Sequence, residues 1–197
     1  MANVTNVKSK FFEPDGVDND QVSASGSATT LVIADGGPYG NLTETITLTS
    51  SADNSGRTFV ITGTDGNGDA QTETVTGPDT ATVSSASKYA TVTSIVASGS
   101  ITTQIQAGIL GTGDLTGQVF LGRTRIRGIT GTSKAVAGNI TFTNTSITGT
   151  TLLTIPTTGA VSSIDPYIPD NGVLFDAGAY ITVPATSVTG VTVYYDG

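Results

Sequence analysis

Histidine, cysteine and tryptophan are all absent from this 197-residue chain. Without histidine the chain has no side chain whose ordinary pKa lies near neutral pH, and without cysteine it has no thiol nucleophile and no disulfide. The usual ligands of a zinc site are missing as well. Most hydrolases, metalloenzymes and redox enzymes depend on one of these groups, so we expect a protein that is not an enzyme and that needs no cofactor or metal.

Basic residues are also scarce. The chain has eight lysines and arginines and sixteen acidic residues, which gives a formal net charge of −8. Proteins that grip a nucleic-acid backbone need a basic surface, so we expect no nucleic-acid partner. Long hydrophobic runs are lacking, and apolar runs such as Val119 to Leu121 are far too short to span a bilayer. No apolar run follows the two lysines near Met1, so we expect neither a secretory signal nor a membrane partner.

The residues that are abundant indicate an all-β protein. The chain has 37 threonines and 25 glycines, while the strong helix formers Glu, Lys, Leu and Met are few. We expect two small antiparallel β-sandwich or barrel-like domains preceded by an extended N-terminal arm. The expected division is an arm over residues 1–27, a first β domain over 28–110, a Gly-rich linker over 111–117 and a second β domain over 118–197.

The clearest strand pair is a hairpin between Thr58 and Thr76, with one sheet face built from threonine. Its turn, DGNGD, places Asp65, Asn67 and Asp69 at the D-x-N-x-D spacing that begins a calcium loop. The glycine and glutamate that complete such a loop are replaced by alanine and threonine. A plain hairpin turn is the favoured interpretation, with cation binding as the alternative.

Further strands are predicted from alternation along the chain. Residues 42–49 place Leu42, Ile46 and Leu48 on a core face, interrupted by Glu44, and threonines on a face toward water or a partner. We also predict strands over residues 28–34 and 118–127, and a loop or single helical turn over residues 84–88.

The N-terminal arm has one hydrophobic feature, the pair Phe11 and Phe12, beside the acidic stretch from Glu13 to Asp20. We expect this pair to form an interface that anchors the arm on a neighbouring subunit. A disordered terminal tail is the alternative, since chain ends are poorly ordered unless they are tied down.

Three arginines, Arg123, Arg125 and Arg127, occupy alternate positions and would project from one face of a strand. They hold three of the eight basic charges. A solvated strand face is one interpretation; the other is an interface with an acidic surface, since guanidinium groups pair well with carboxylates.

Two segments resemble structural proteins of tailed bacteriophages. The first is GRTFVITGTDGNGDAQTETVTGPD with the later KYATVTSIVASG, within residues 56–99, and the second is DNGVLFDAGAYI, ending in VTVYY at residues 191–195. Among such proteins the chain is most similar to a head decoration, or cement, protein. The resemblance implies a virion protein on the outer surface of the capsid, commonly a homotrimer, whose partner is the major capsid protein.

The main alternative is a tail-fibre or other tail-associated protein that binds the host surface. Such a protein would more often carry a repetitive shaft, and this sequence has no shaft repeat. A free carbohydrate-binding module is a third class, which would be expected to have a signal peptide and more aromatic residues.

Overall fold

The structure, a computed structural model, describes residues 7–101, 103–169 and 171–197. Within these ranges it contains sixteen β-strands and no helix, which confirms the all-β prediction. No helix there is long and apolar enough to cross a membrane. The strands are β1 (Val7–Phe12), β2 (Asp18–Gly26), β3 (Glu44–Ser50), β4 (Thr58–Thr64), β5 (Ala70–Thr76), β6 (Thr82–Tyr89), β7 (Thr91–Ala97), β8 (Ile105–Ile109), β9 (Asp114–Phe120), β10 (Thr124–Ser133), β11 (Ala137–Asn144), β12 (Thr151–Thr158), β13 (Ser163–Ile164), β14 (Val173–Phe175), β15 (Ala179–Pro184) and β16 (Val188–Asp196).

The chain folds into two compact units. Of the described residues, unit 1 contains 7–14, Gly40–Leu42 and those of Thr112–Gly197, while unit 2 contains Asp15–Tyr39 and those of Thr43–Gly111. The chain therefore passes from one unit to the other at four points along the sequence, and neither unit is a single continuous segment.

Unit 1 is a sandwich of two antiparallel sheets. Sheet A has the strand order β1-β16-β10-β13, with β14 also paired to β10, and sheet B has the order β12-β11-β15-β9. Buried side chains from both sheets, such as Ile129 and Val193 from sheet A and Phe142 and Ile181 from sheet B, share one core. Strands such as β9 and β10 alternate buried and more exposed residues, so each sheet turns one face inward.

Unit 2 is built in the same way from two smaller antiparallel sheets. Sheet C has the order β2-β8-β3-β6, and sheet D has the order β5-β4-β7. Ile46 and Ile109 from sheet C meet Phe59, Ile61 and other buried side chains of sheet D in a second core.

The predicted hairpin is confirmed as β4 and β5. Thr58 lies opposite Thr76 and Thr62 opposite Thr72, which builds the threonine face, while Phe59 and others point into the core. The two strands pair residue for residue across the DGNGD turn without a register shift.

Strand β3 confirms the predicted core face for Ile46 and Leu48, which are fully buried. Leu42 does not share this face, because it precedes β3 and lies in the core of unit 1. Its threonine face is less open to water or a partner than we predicted, because Thr47 is only 2% exposed. Thr47 lies opposite Gly108, and the backbone of Asp18 and Asn19 packs against that glycine on the same side. The beginning of β2 thus covers part of this face.

Three local predictions were wrong. Residues 28–34 form one isolated bridge, between Thr30 and Val96, and no strand. Residues 84–88 belong to β6, where the register with β3 shifts at a bulge instead of ending in a loop. Residues 118–127 are interrupted by a bend at 121–123, so β9 ends before the arginines and β10 begins among them.

The division of the chain also differs from the predicted arm and linker. Residues 7–12 pair with β16 in unit 1, and residues 18–26 pair with β8 in unit 2, so the expected arm supplies one strand to each unit. Residues 114–117 of the expected linker belong to β9. Long-range pairing of this kind cannot be recognised from the local sequence, because each strand is paired with a segment about 80 to 190 residues away.

Candidate interaction surface

Strands β1, β16 and β10 lie side by side in sheet A. Residues directly opposite each other in antiparallel strands share a face of the sheet. Phe12 lies opposite Val191, and both are fully buried, so this pair marks the core face. The neighbouring pair, Phe11 and Thr192, therefore lies on the outer face. By the same register the outer face of sheet A carries Ser9, Phe11, Arg125, Gly128, Thr130, Gly190, Thr192 and Tyr194.

Two aromatic rings cover glycines on this outer face. A Cβ atom on Gly190 would lie 2.8 Å from Cζ of Phe11, and a Cβ on Gly128 would lie 3.5 Å from Cδ2 of Tyr194. Phe11 is still 49% exposed and Tyr194 36% exposed. The Tyr194 hydroxyl is also 3.4 Å from Oγ1 of Thr130, within hydrogen-bond range. The outer face of sheet A therefore presents two partly exposed rings close to small and hydroxyl side chains.

Strand β1 is held in place from its core face. The Lys10 ammonium donates a hydrogen bond to the carbonyl oxygen of Gln118 at 2.7 Å, and it lies 5.4 Å from the centre of the Phe12 ring. Burial lowers the pKa of Lys10 from its ordinary value. Lys8 lies over the Phe120 ring in the same way, at 5.6 Å. These contacts tie β1 to β9, so the position of Phe11 is set by its own unit.

Arg125 and Arg127 reach the outer face at the edge of this surface. Arg125 donates from Nη1 to the carbonyl oxygens of Asn171 and Gly172, at 3.0 and 3.4 Å. Arg127 sits at a bulge in β10, where the register with β16 shifts, and its Nη1 lies 3.7 Å from Oδ2 of Asp196. Both guanidinium groups therefore have partners within the chain.

Arg123 precedes β10 and pairs with Asp176, with 3.7 Å between Nε and Oδ1. Both side chains are mostly exposed, at 67% and 73%, and an ion pair this open contributes little to stability. Arg123 is thus the most accessible of the three arginines. Beside it a shallow cleft of about 280 Å³ is lined by Arg123, Thr124, Arg125, Leu174, Asp196 and Gly197.

The structure brings most of the predicted interface residues together. Phe11, Arg125 and Arg127 share the outer face of sheet A, and Arg123 lies at its border. Sequence reasoning missed Tyr194 as a site residue. Its signal was present, because Tyr194 falls between the core-facing positions of the terminal strand.

Phe12 does not belong to this surface. Its side chain is completely buried in the core of unit 1, packed with residues of β9, β15 and β16. The prediction that Phe12 contacts a neighbouring subunit does not fit this burial, because adjacent residues of a strand point to opposite faces. Phe12 anchors β1 within its own chain.

In the DGNGD turn, the carboxylate of Asp65 accepts hydrogen bonds from other residues of the same turn. Oδ1 of Asp65 accepts hydrogen bonds from the backbone N–H groups of Asn67 and Asp69, at 2.8 and 3.0 Å, and Oδ2 accepts one from the Asn67 side chain at 3.0 Å. These bonds make an Asx-type turn. Within the described ranges no group of three or more acidic, histidine or cysteine side chains is arranged to hold a metal ion.

Comparison with known proteins identified no relative of this chain. No protein-family model matches the chain, and neither the curated proteins nor the solved structures contain a match to it. The function is therefore inferred from the chemistry of the surface itself. Aromatic rings, hydroxyls and guanidinium groups bind by stacking, hydrogen bonding and ion pairing.

Proposed function

We propose that this protein is a non-enzymatic structural protein of a bacteriophage head, a decoration protein that binds the outer surface of the major capsid protein lattice. We further propose that the outer face of sheet A makes the contact. The proposal places the protein on the outside of the virion and gives it no cofactor.

The observation that carries the proposal is the composition of this outer face. Tyrosine and arginine are the residues that most often dominate the binding energy of protein interfaces, and phenylalanine is also enriched there. Here Phe11 and Tyr194 are partly exposed on the same face as Arg125, on strands that the core holds rigidly. A surface that is fixed before binding loses little conformational entropy when a partner covers it.

The resemblance to phage structural proteins supports the proposal independently of the geometry. It rests on the hairpin segment of unit 2 and on the last strands of unit 1. A decoration protein also needs no catalytic group and no basic tract, in agreement with a chain of net charge −8 that lacks histidine and cysteine.

A homotrimer is the assembly that we propose for the bound protein. Three linked copies at a symmetry axis would each make a modest contact, and the contacts would add through multivalency. No single copy then needs a strong binding site, which suits a surface with two exposed rings.

The test is co-sedimentation of the purified protein with empty expanded capsids of its phage. We expect saturable binding in a fixed ratio to the capsid protein. Replacing Phe11 and Tyr194 together by serine should weaken binding by about thirtyfold or more, since truncation of an interface hot spot typically costs about 2 kcal/mol.

Tyr167→Ser is the matched control, because Tyr167 is an 84% exposed tyrosine outside this face. It should leave binding unchanged. Binding only to tails or to host cells would replace the head assignment by the tail-associated alternative. Equal losses in the control and in the double variant would remove the outer face of sheet A from the proposal.

A further inference from the structure

Glu44 places a carboxyl group in the buried interior of unit 2. It is the first residue of β3 and shares the inward face with Ile46, and no part of it is exposed to solvent. A buried carboxylate is costly unless its oxygens receive hydrogen bonds or a cation lies beside it. The partners of Glu44 therefore decide whether it can remain charged.

Glu44 is only half satisfied. Oε2 accepts a hydrogen bond from the backbone N–H of Gly111 at 3.1 Å. Oε1 is buried and has no hydrogen-bond partner. The uncharged form of a carboxyl tolerates such a site better than the charged form, because the cost of burial falls mainly on charge.

The surrounding groups leave the balance in favour of the uncharged form. Burial raises the pKa of Glu44 from 4.5 to about 7. The backbone N–H groups of Gly111 and Thr45 and the charge of Lys88 oppose this rise, and the charge of Asp15 adds to it. Tyr39, also buried, lies close enough that Glu44 contributes to the rise in its own pKa, after burial and the charge of Asp35. The remaining neighbour is Tyr89, opposite Glu44 in β6, whose hydroxyl donates to the carbonyl of Ile61.

Gly111, whose N–H donates to Glu44, is itself tightly packed. Gly111 has a φ of +61°, and a Cβ atom there would lie 2.4 Å from the carbonyl carbon of Gly16 and 2.7 Å from the carbonyl oxygen of Asp15. The backbone of segment 15–17 thus packs directly against Gly111. These two stretches are the first and last residues of unit 2 along the chain.

We propose that Glu44 is a proton-controlled latch: in its uncharged form it stays buried beside Gly111 and the adjoining segment 15–17, and when it loses its proton the cost of burying the charge opens this packing. The buried position, the hydrogen bond from Gly111 and the unpartnered second oxygen carry this inference. It is independent of the function proposed above.

The direction of the pH effect follows from the raised pKa. The unfolded chain ionises Glu44 above its ordinary value of 4.5, whereas the folded chain does so only near 7. The stability that the proton supplies is therefore complete below about pH 4.5 and is lost as the pH rises to about 7. Relative to Glu44→Gln, the wild-type folding equilibrium constant should fall by about a hundredfold between pH 4.5 and 8.

The first measurement compares denaturant unfolding of the wild type and Glu44→Gln across this pH range. Glu13→Gln is the control, since it makes the same chemical change at an exposed glutamate. Its profile should run parallel to that of the wild type. A Glu44→Gln profile that is also parallel to the wild type overturns the proposal.

The second measurement reads the latch directly through hydrogen exchange of the Gly111 amide. We expect its protection factor, which is corrected for base catalysis, to fall at least tenfold between pH 6 and 8.5 in the wild type. In Glu44→Gln it should stay constant. Constant protection in the wild type would show that loss of the proton releases nothing.

A second variant covers the case in which Glu44→Gln does not fold. Lys88 opposes the rise in the pKa of Glu44, so Lys88→Gln should move the midpoint of the wild-type pH dependence to a higher pH. An unchanged midpoint would show that the observed pH dependence belongs to another group and would overturn the proposal.

Discussion

Phe11 and Phe12 show how two identical neighbours take different roles. Their positions in β1 point to opposite faces, so Phe12 fills the core of unit 1 while Phe11 lies over Gly190 on the outer face of sheet A. The dipeptide alone does not say which ring points inward. The register of β1 on β16 decides it, because Phe12 is placed opposite Val191.

Truncating the two rings should therefore have different effects. Phe12→Ala should lower the free energy of unfolding by about 3 to 5 kcal/mol, the usual cost of emptying a buried phenylalanine site. Phe11→Ala should lower it by about 1 kcal/mol, because only half of that side chain is buried. Chemical denaturation of the two variants checks this expectation, and similar losses would contradict the assigned faces.

At the scale of the elements, the hairpin β4 and β5 is joined to β6 by side chains. The Glu73 carboxylate accepts hydrogen bonds from the backbone N–H groups of Ala86 and Ser87, at 2.7 and 2.8 Å. Gln71 donates from Nε2 to the carbonyl of Lys88 at 2.7 Å. Two residues of β5 thus satisfy backbone groups at the bulge of β6, which links sheet D to sheet C within unit 2.

This link should be sensitive to acid. Burial alone would raise the pKa of Glu73, but the two N–H donors together with the Ser87 side chain outweigh it, and the pKa falls below its ordinary value of 4.5. A lowered pKa stabilises the fold above about pH 4.5, and that stability is lost as the pH falls further. Glu73→Gln should cost about 1 kcal/mol at pH 7, given the partial exposure of the carboxylate.

Denaturant unfolding at several pH values measures the effect. The curves of the wild type and Glu73→Gln should converge in acid, because the protonated carboxyl then resembles the amide. A difference that grows as the pH falls would contradict the role of the two N–H donors. Glu13→Gln again serves as the exposed control.

At the scale of the whole molecule, the two units are interleaved along the chain. Of the described residues, unit 1 takes 7–14, which include its edge strand β1, and Gly40–Leu42 from the N-terminal part of the sequence, and the rest from residues beyond 111. A cut in the glycine-rich stretch therefore does not separate two complete domains. The fragment 112–197 lacks the buried ring of Phe12.

We expect this fragment alone to lose cooperative unfolding. Because Asp196 lies opposite Val7, residues 7–14 appended after Gly197 through a two-residue turn could pair with β16 as β1 does. This fusion should unfold cooperatively by circular dichroism. Equal stability of the fragment with and without the added strand would contradict the assignment of β1 to unit 1.

Parts of the fold and the surface were predictable because they depend on nearby residues. The hairpin over residues 58–76 is specified by alternation and by its turn, and the outward positions of Arg125 and Arg127 follow from their spacing. The partners of these arginines were not predictable. Asn171, Gly172 and Asp196 come close only through the pairing of β10 with β14 and β16.

By itself the sequence determined the all-β class, the short local pairings and the absence of histidine and cysteine chemistry, since composition and two-residue alternation act locally. Only the tertiary structure decided which face each strand turns inward, which unit each segment joins and that Tyr194 lies on the same face as Phe11. These features depend on long-range strand register, and a shift of one residue would exchange the buried and exposed faces. The same long-range packing placed Glu44 beside Gly111 and left one of its oxygens without a partner.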